Sequence, residues 1–336
     1  MATNKFAVDF DSAYTNIYKL GGGMVLSEPS VAVVSEESKI KVKYIGQDAS
    51  KLIGKTVKNS KIVFPVFEGE IVNEKVASGL LEGFLKKAGF KSKIFTGDSL
   101  LFSVPCGSTY DMLKKYYNVA KNCGANKVYF VENPILSALG QRIPFNESKP
   151  CFVIDMAGGT TNIGAVSLDG VIAGVSVNFG GNKISADVID EIESKFGLQI
   201  GLQSAEKLKK EIGSLDREDL LSAPVNGRDI KTGAPRSISI KASDIYEPIS
   251  KYFDKIAEIA NSVLTKLPPE VSAEIRRSGI YISGGASNIY GLEKYYQDKF
   301  DMKITVAKEG LYSVALGGGI ALGDNALLKK IKIDFS

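Results

Sequence analysis

Two short runs of acids, small residues and hydroxyls are the parts of this sequence that could do chemistry. In Asp155-Met156-Ala157-Gly158-Gly159-Thr160-Thr161 a carboxylate precedes two glycines and two hydroxyls. That order suits a phosphate tail carrying Mg²⁺. The glycines let backbone N–H groups approach phosphate oxygens, the hydroxyls donate to them, and the carboxylate orients the metal's waters. A hairpin turn would use the same residue types, so this run alone leaves both readings open. A second acid-and-hydroxyl turn, Asp9-Phe10-Asp11-Ser12-Ala13-Tyr14-Thr15, opens the chain.

Composition removes several chemistries. The 336 residues contain no histidine, which excludes a Ser-His-Asp or Cys-His mechanism and any His-ligated metal. Three cysteines, Cys106, Cys123 and Cys151, form no CxxC pair and no even disulfide set, as in a reduced compartment. The net charge of +4 is spread over scattered lysines, so nucleic acid is not an expected partner. No apolar run approaches 18 residues and no secretory leader is legible at Met1–Lys5, so a cytoplasmic protein is expected.

The elements that must hold these turns follow from periodicity. Lys5–Phe10, Thr15–Leu20 and a third strand through Val31–Val34 read as a β-meander. Asn73–Ala88 reads as a helix with Val76, Leu80, Leu81 and Phe84 on one face. Strand Leu100–Val104, helix Ser108–Cys123, strand Lys127–Val131 and helix Pro134–Gly140 alternate as parallel α/β units do. After the polar stretch Pro144–Pro150 the plan restarts with strands Phe152–Asp155, Asn162–Leu168 and Val171–Val177. Helices are expected at Lys183–Lys195, Ser204–Ile212 and Ala242–Leu267, with inserted strands Ala223–Asn226 and Ser237–Ile240. Strand Gly279–Ser283 runs into Gly284-Gly285-Ala286-Ser287. A last helix from near Tyr312 holds Gly317-Gly318-Gly319, where each glycine costs about 1 kcal/mol in a helix, so another backbone or a ligand must approach closely. The repeated order of strand, acid turn, strand, turn, strand predicts a duplicated α/β fold with a cleft between the halves.

Four stretches in order, Asp9–Thr15, Asp155–Thr161, Ser204–Gly213 and Ser283–Ser287, resemble the actin-fold ATPase superfamily and, within it, the MreB family of bacterial actins. Leu26–Val31, Ile53–Thr56, Val225–Arg236 and Pro268–Glu270 extend the resemblance over essentially the whole chain. It implies two duplicated, ribonuclease H-like α/β domains with a small insert subdomain in each. Domain I would take residues 1–140 and about 315–336, with its insert near 33–72. Domain II would take 141–314, with its insert near 181–241. The implied cofactors are ATP or ADP and Mg²⁺.

Residue by residue, the resemblance implies a first phosphate loop of Ser12, Ala13, Tyr14 and Thr15, with Asp9 on the metal side. It implies a second of Asp155, Gly158, Gly159, Thr160 and Thr161, with Asp9 and Asp155 meeting Mg²⁺ through water. Glu206 matches the residue that holds the ribose hydroxyls. Lys209 and Lys210, three and four residues further on, match those flanking the adenine, although an exposed Glu206–Lys210 ion pair would read the same way. Gly284, Gly285 and Ala286 match the adenosine motif.

The chain also departs from the family. The word Glu132-Asn133-Pro134 puts Asn133 where the family has the glutamate that orients or deprotonates the attacking water. An amide can accept a hydrogen bond but cannot take a proton. Glu132 is the neighbouring substitute. Asp11 stands where the family has glycine, and Asn73, Asn162, Asn182 and Ser185 replace common acids. The resemblance therefore implies a divergent paralogue with slow ATP hydrolysis, of the kind that wall-less helical bacteria carry in several copies.

The expected function is an ATP-binding cytoskeletal filament protein for cell shape or motility. Its partners would be itself, in paired antiparallel protofilaments, and paralogous subunits. A small-molecule kinase or a chaperone-type ATPase of the same superfamily is the competing reading. Ile94 and Phe95, in Lys93–Thr96, match a loop that inserts into lipid, and they equally suit core residues at a loop edge. With the basic and apolar tail Leu327–Ile333, they would add weak contact with the inner face of the cell membrane.

Overall fold

A computed structural model describes residues 4–35, 40–55, 59–91 and 98–335. The lipid-loop segment Lys93–Thr96 lies outside these residues.

Two five-stranded sheets dominate. The first runs Val128–Glu132, Ser99–Val104, Lys5–Phe10, Tyr14–Lys19, Gly23–Pro29. The second runs Gly170–Val177, Thr161–Ser167, Cys151–Met156, Ile280–Ser283, Ile304–Val306. Counted in chain order, the first strand of each sheet, Lys5–Phe10 or Cys151–Met156, pairs antiparallel with the second and parallel with the fourth. The two sheets thus share one topology, and the duplication extends to register. Asp9 faces Asn16 and Asp155 faces Asn162. Phe152, Val153 and Ile154 are fully buried, as expected of a central strand covered on both faces.

Smaller sheets flank the large ones. Val42–Ile45, Ala32–Ser35 and Ser60–Val63 form one, Leu198–Gln199, Ser222–Asp229 and Pro235–Lys241 another, and Val66–Phe67 pairs with Glu70–Ile71 in a third. The expected meander is therefore corrected at its third strand. Gly23–Pro29 completes the first large sheet, whereas Ala32–Ser35 begins the small one. The strand-breaking Pro29 separates them.

Two helices cross between the halves. Asn133–Gly140 follows the last strand of the first sheet yet packs on Cys151–Met156 and Thr161–Ser167 of the second. Ser313–Gly323 returns to pack on Lys5–Phe10. The helices also touch each other, and this contact explains the glycine run. A Cβ on Gly317 would lie 1.8 Å from the Leu136 carbonyl oxygen, and one on Gly318 would lie 2.5 Å from the Ala7 Cβ. Backbone and neighbouring side chains, rather than a ligand, require these glycines.

Two further expectations change. Residues 242–267 split into a short turn, Ala242–Asp244, and the helix Tyr246–Leu264. The helix at Tyr312 is also not the last. Asn325–Ile331 follows, capped by Asp324, whose carboxylate accepts the N–H groups of Ala326 and Leu327. Leu328 and Ile331 of this tail are buried, Phe335 stacks on Tyr110 at 4.9 Å, and Lys330 pairs with Glu147 and Asp169. The tail's apolar residues thus serve the core. Among the described residues no single helix is long and apolar enough to cross a membrane.

Candidate functional site

Each large sheet carries an acid, one residue before the end of its first strand, at the same cleft, a cavity of about 580 Å³ lined by both halves. Asp9 accepts hydrogen bonds from Asn16 at 3.2 Å and from Ser103 at 3.0 Å. Asp155 accepts one from Ser283 at 2.7 Å. An acid on the first strand and a serine on the fourth therefore recur in both halves. Neither motif nor spacing assigns a role to Asn16, Ser103 or the Ser283 hydroxyl. Asn16 was legible, since it shares with Tyr14 one face of a period-two strand. The two serines acquire their meaning only from strand order.

Burial and mutual repulsion set the charges here. Desolvation, then Asp11, then Asp155 push Asp9 up to about 7. Desolvation and Asp11 push Asp155 up to about 7 against the Ser283 bond. Burial also raises Asp11, against the bonds it accepts from backbone amides. Carboxylates that disfavour one another's ionisation are the environment a cation relieves.

Among the described residues four buried side-chain oxygens lack a hydrogen-bond partner: Ser12 Oγ, Asn133 Oδ1, Asp155 Oδ2 and Ser176 Oγ. Three of the four belong to the residues singled out by sequence. Such orphans are uncommon in folded proteins and mark places where a ligand or water would bind. Asp155 Oδ2 and the acids around it fit a hydrated divalent cation. No group of three acidic, cysteine or histidine side chains among the described residues is arranged to hold an ion directly.

The end of the cleft where the two turns meet is tight. A Cβ on Gly158 would lie 2.2 Å from the Ala13 Cβ, and one on Gly159 would lie 2.2 Å from Ser12 Oγ. Only glycine lets the two turns approach this closely. Asp11, Ala13, Tyr14 and Gly158 line the cavity, while Ser12 and Thr160 are buried beside it.

Two threonines depart from expectation. Thr161 Oγ1 is fully buried, donates to the Phe179 carbonyl and bonds the Tyr252 hydroxyl at 2.8 Å. Thr15 Oγ1 is likewise buried against Ser30. Both sit at equivalent positions on second strands, and the alternation that points Asn16 and Asn162 one way points these threonines the other.

At the far end, Glu206, Lys209, Lys210, Gly284, Gly285 and Ala286 line the cleft together with Asn182, Asn288, Leu311 and Tyr312. Glu206 pairs with Lys209 at 2.6 Å rather than with Lys210. The buried Lys209 ammonium also donates to the Gly181 carbonyl and Ser185, and burial lowers its pKa against the pull of Glu206. With its three donors taken, Lys209 braces Glu206 rather than flanking a base. Lys210 reaches across the cleft to 6.0 Å from the Tyr14 ring centroid. Gly284 has φ +88°, and a Cβ there would meet the Met156 carbonyl oxygen at 2.1 Å. A Cβ on Gly285 would meet nothing nearer than Leu311 at 3.3 Å.

Glu132 and Asn133 do not line the cavity. Glu132 accepts the Gly107 N–H at 2.7 Å, and Asn133 is the buried first residue of the crossing helix. Asn162 links this region to the cleft by accepting the Cys106 N–H and donating to Thr160. Asn73, remote from the cleft, caps the helix Glu74–Lys87, a task an amide performs as well as an acid.

The sequence profile described as MreB/Mbl protein matches residues 3–330. The cell shape-determining protein MreB of Escherichia coli (strain K12) is 30% identical over 326 residues, covering 96% of this chain and 94% of that protein. The cell shape-determining protein Mbl of Bacillus subtilis (strain 168) is 28% identical over 336 residues, covering 99% and 100%. The crystal structure of MreB5 of Spiroplasma citri bound to AMPPNP superposes with a TM-score of 0.89 at 28% identity over 98% of each chain. The MamK double helical filament, at 19% identity and a TM-score of 0.79 over 96% and 99%, shares the fold.

Proposed function

The chain belongs to the MreB/Mbl family, and from that premise we propose that it binds Mg·ATP in the cleft and assembles into filaments. These would be cytoskeletal, cytoplasmic and engaged in cell shape or motility. One observation carries the nucleotide reading: the duplicated acid turns converge on a single cleft and leave Asp155 Oδ2 and Ser12 Oγ buried without partners. That MreB5 of Spiroplasma citri was crystallised with AMPPNP and with ADP supports the same ligand here. Family membership over nearly the whole chain displaces the kinase and chaperone readings.

Each residue then has a task. Ser12 and the Gly158 and Gly159 amides would contact phosphate, Asp9 and Asp155 would hold the cation's waters, and Glu206, braced by Lys209, would meet the ribose. Gly285 and Ala286 would face the base, with Lys210 and Tyr14 closing over it. Bound Mg²⁺ would neutralise phosphate charge and the carboxylates around it. Asn133 can orient a water through Oδ1 but cannot take its proton, so hydrolysis would be slow. A ligand touching both halves favours the closed cleft, which is how nucleotide state would reach the filament.

The family resemblance adds paired antiparallel protofilaments, paralogous subunits and lipid contact through Ile94 and Phe95 to this reading. Electron microscopy and sedimentation with ATP, ADP and AMPPNP, with and without anionic vesicles, test assembly. Filaments that require nucleotide are expected. Monomers under every condition, with a paralogue present, would contradict the reading.

A further inference from the structure

Asp11 does something that neither the phosphate reading nor the family resemblance assigns to it. Its carboxylate leaves its own turn and enters the other half's. Asp11 Oδ2 accepts the N–H of Gly158 at 2.9 Å and of Ala13 at 3.3 Å, while Oδ1 accepts the N–H of Gly159 at 3.4 Å. Adjacent backbone amides converging on one anion form the kind of nest that binds phosphate oxygens. Here an anion of the chain's own already sits in it. The fit is close, since a Cβ on Gly158 would come within 2.8 Å of Asp11 Oδ2. The contact also spans the cleft, because Asp11 belongs to the turn of the first sheet and Gly158 and Gly159 to that of the second.

Resting on the ATP reading above, we propose that Asp11 is an internal anion that competes with the terminal phosphate of ATP for the Gly158 and Gly159 amides. It is a specificity-determining residue with two effects. It lowers the advantage of a nucleoside triphosphate over a diphosphate, because only the longer tail must displace it. It also latches the two halves together when no nucleotide is bound.

The test uses the full chain with Asp11→Gly and Asp11→Asn in two measurements. Hydrogen exchange of the segment 156–160 is followed without nucleotide, and affinities for Mg·AMPPNP and Mg·ADP are measured by calorimetry. Loss of a hydrogen bond to a charged group changes an equilibrium by about tenfold or more. Asp11→Gly is therefore expected to speed exchange at Gly158 and Gly159 by about tenfold and to raise the AMPPNP-to-ADP affinity ratio by at least about tenfold. Asp11→Asn, which keeps the volume and a weaker acceptor, moves both in the same direction by less, and it carries the test alone if the glycine variant does not fold. Unchanged exchange overturns the latch. Faster exchange with an unchanged or lower ratio overturns the competition. If neither parent nor variants bind either nucleotide, the ATP reading falls and the competition with it, whereas the exchange result still decides the latch.

Discussion

Asp9 and Asp155 occupy the same position in two copies of one sheet. Each is the penultimate residue of a first strand, stands in register with an asparagine on the second, and accepts a serine hydroxyl from the fourth. The crossing helices Asn133–Gly140 and Ser313–Gly323 bring the two copies face to face, so a repeated acid becomes a pair flanking one cleft. A ligand that touched both copies would favour closure of a cleft built this way.

The pH dependence of the free protein follows from this pairing. Asp9 and Asp155 are raised in the folded chain from 3.8 to about 7. Between those values the unfolded chain has released protons that the folded chain retains, so stability falls as pH rises from about 4 to about 7. Thermal melts without Mg²⁺ or nucleotide should show Tm decreasing across this window. Asp9→Asn should flatten the decrease, and added Mg·ATP should oppose it by binding the folded state. A Tm that rises through the window would contradict the assigned burial and repulsion.

Thr161→Ala should act on stability rather than on affinity. Its hydroxyl is spent on Phe179 and Tyr252, and leaving buried partners unpaired costs about 1–3 kcal/mol. Denaturant melts should show that loss, while ATP affinity at a temperature where the variant is folded should stay close to the parent's.

Gly317→Ala probes the crossing of the two helices. The added Cβ would start 1.8 Å from the Leu136 carbonyl, and overpacking of this kind typically costs about 1–3 kcal/mol. Lower stability is expected, together with weaker coupling between nucleotide and assembly. An unperturbed melt would show that the helices separate freely.

The chain's fold was largely legible in its sequence. Both first strands are short apolar runs with an acid at the penultimate position, and period-two patterns mark their neighbours. What stayed hidden depended on tertiary placement. Thr161 follows two glycines and a hydroxyl in the sequence, yet strand alternation turns its side chain into the core. Spacing allows Glu206 to meet either Lys209 or Lys210, and only the carbonyl of Gly181 and the hydroxyl of Ser185 decide for Lys209. Val31–Val34 carries a strand pattern, but nothing in it says which sheet the strand joins.

Hydrolysis distinguishes Asn133 from its neighbour. Glu132 is held by the Gly107 N–H, whereas Asn133 Oδ1 is unpartnered. Asn133→Glu should therefore raise phosphate release by about 10²-fold, within the usual range for a proton acceptor. Glu132→Gln should leave the rate within about threefold, far below that range. A flat rate in the first variant with loss in the second would assign the role to Glu132.

Occupation of the cleft between the duplicated sheets by Mg·ATP is tested at Gly285. Its added Cβ would meet only Leu311, at 3.3 Å, so Gly285→Val intrudes on the cavity without colliding with backbone. Calorimetric titration of parent and variant with Mg·ATP should give one site in the parent and an affinity lower by at least about tenfold in the variant, or roughly 1.4 kcal/mol, with melting unchanged. No binding by the parent, or equal binding by both, would contradict the account.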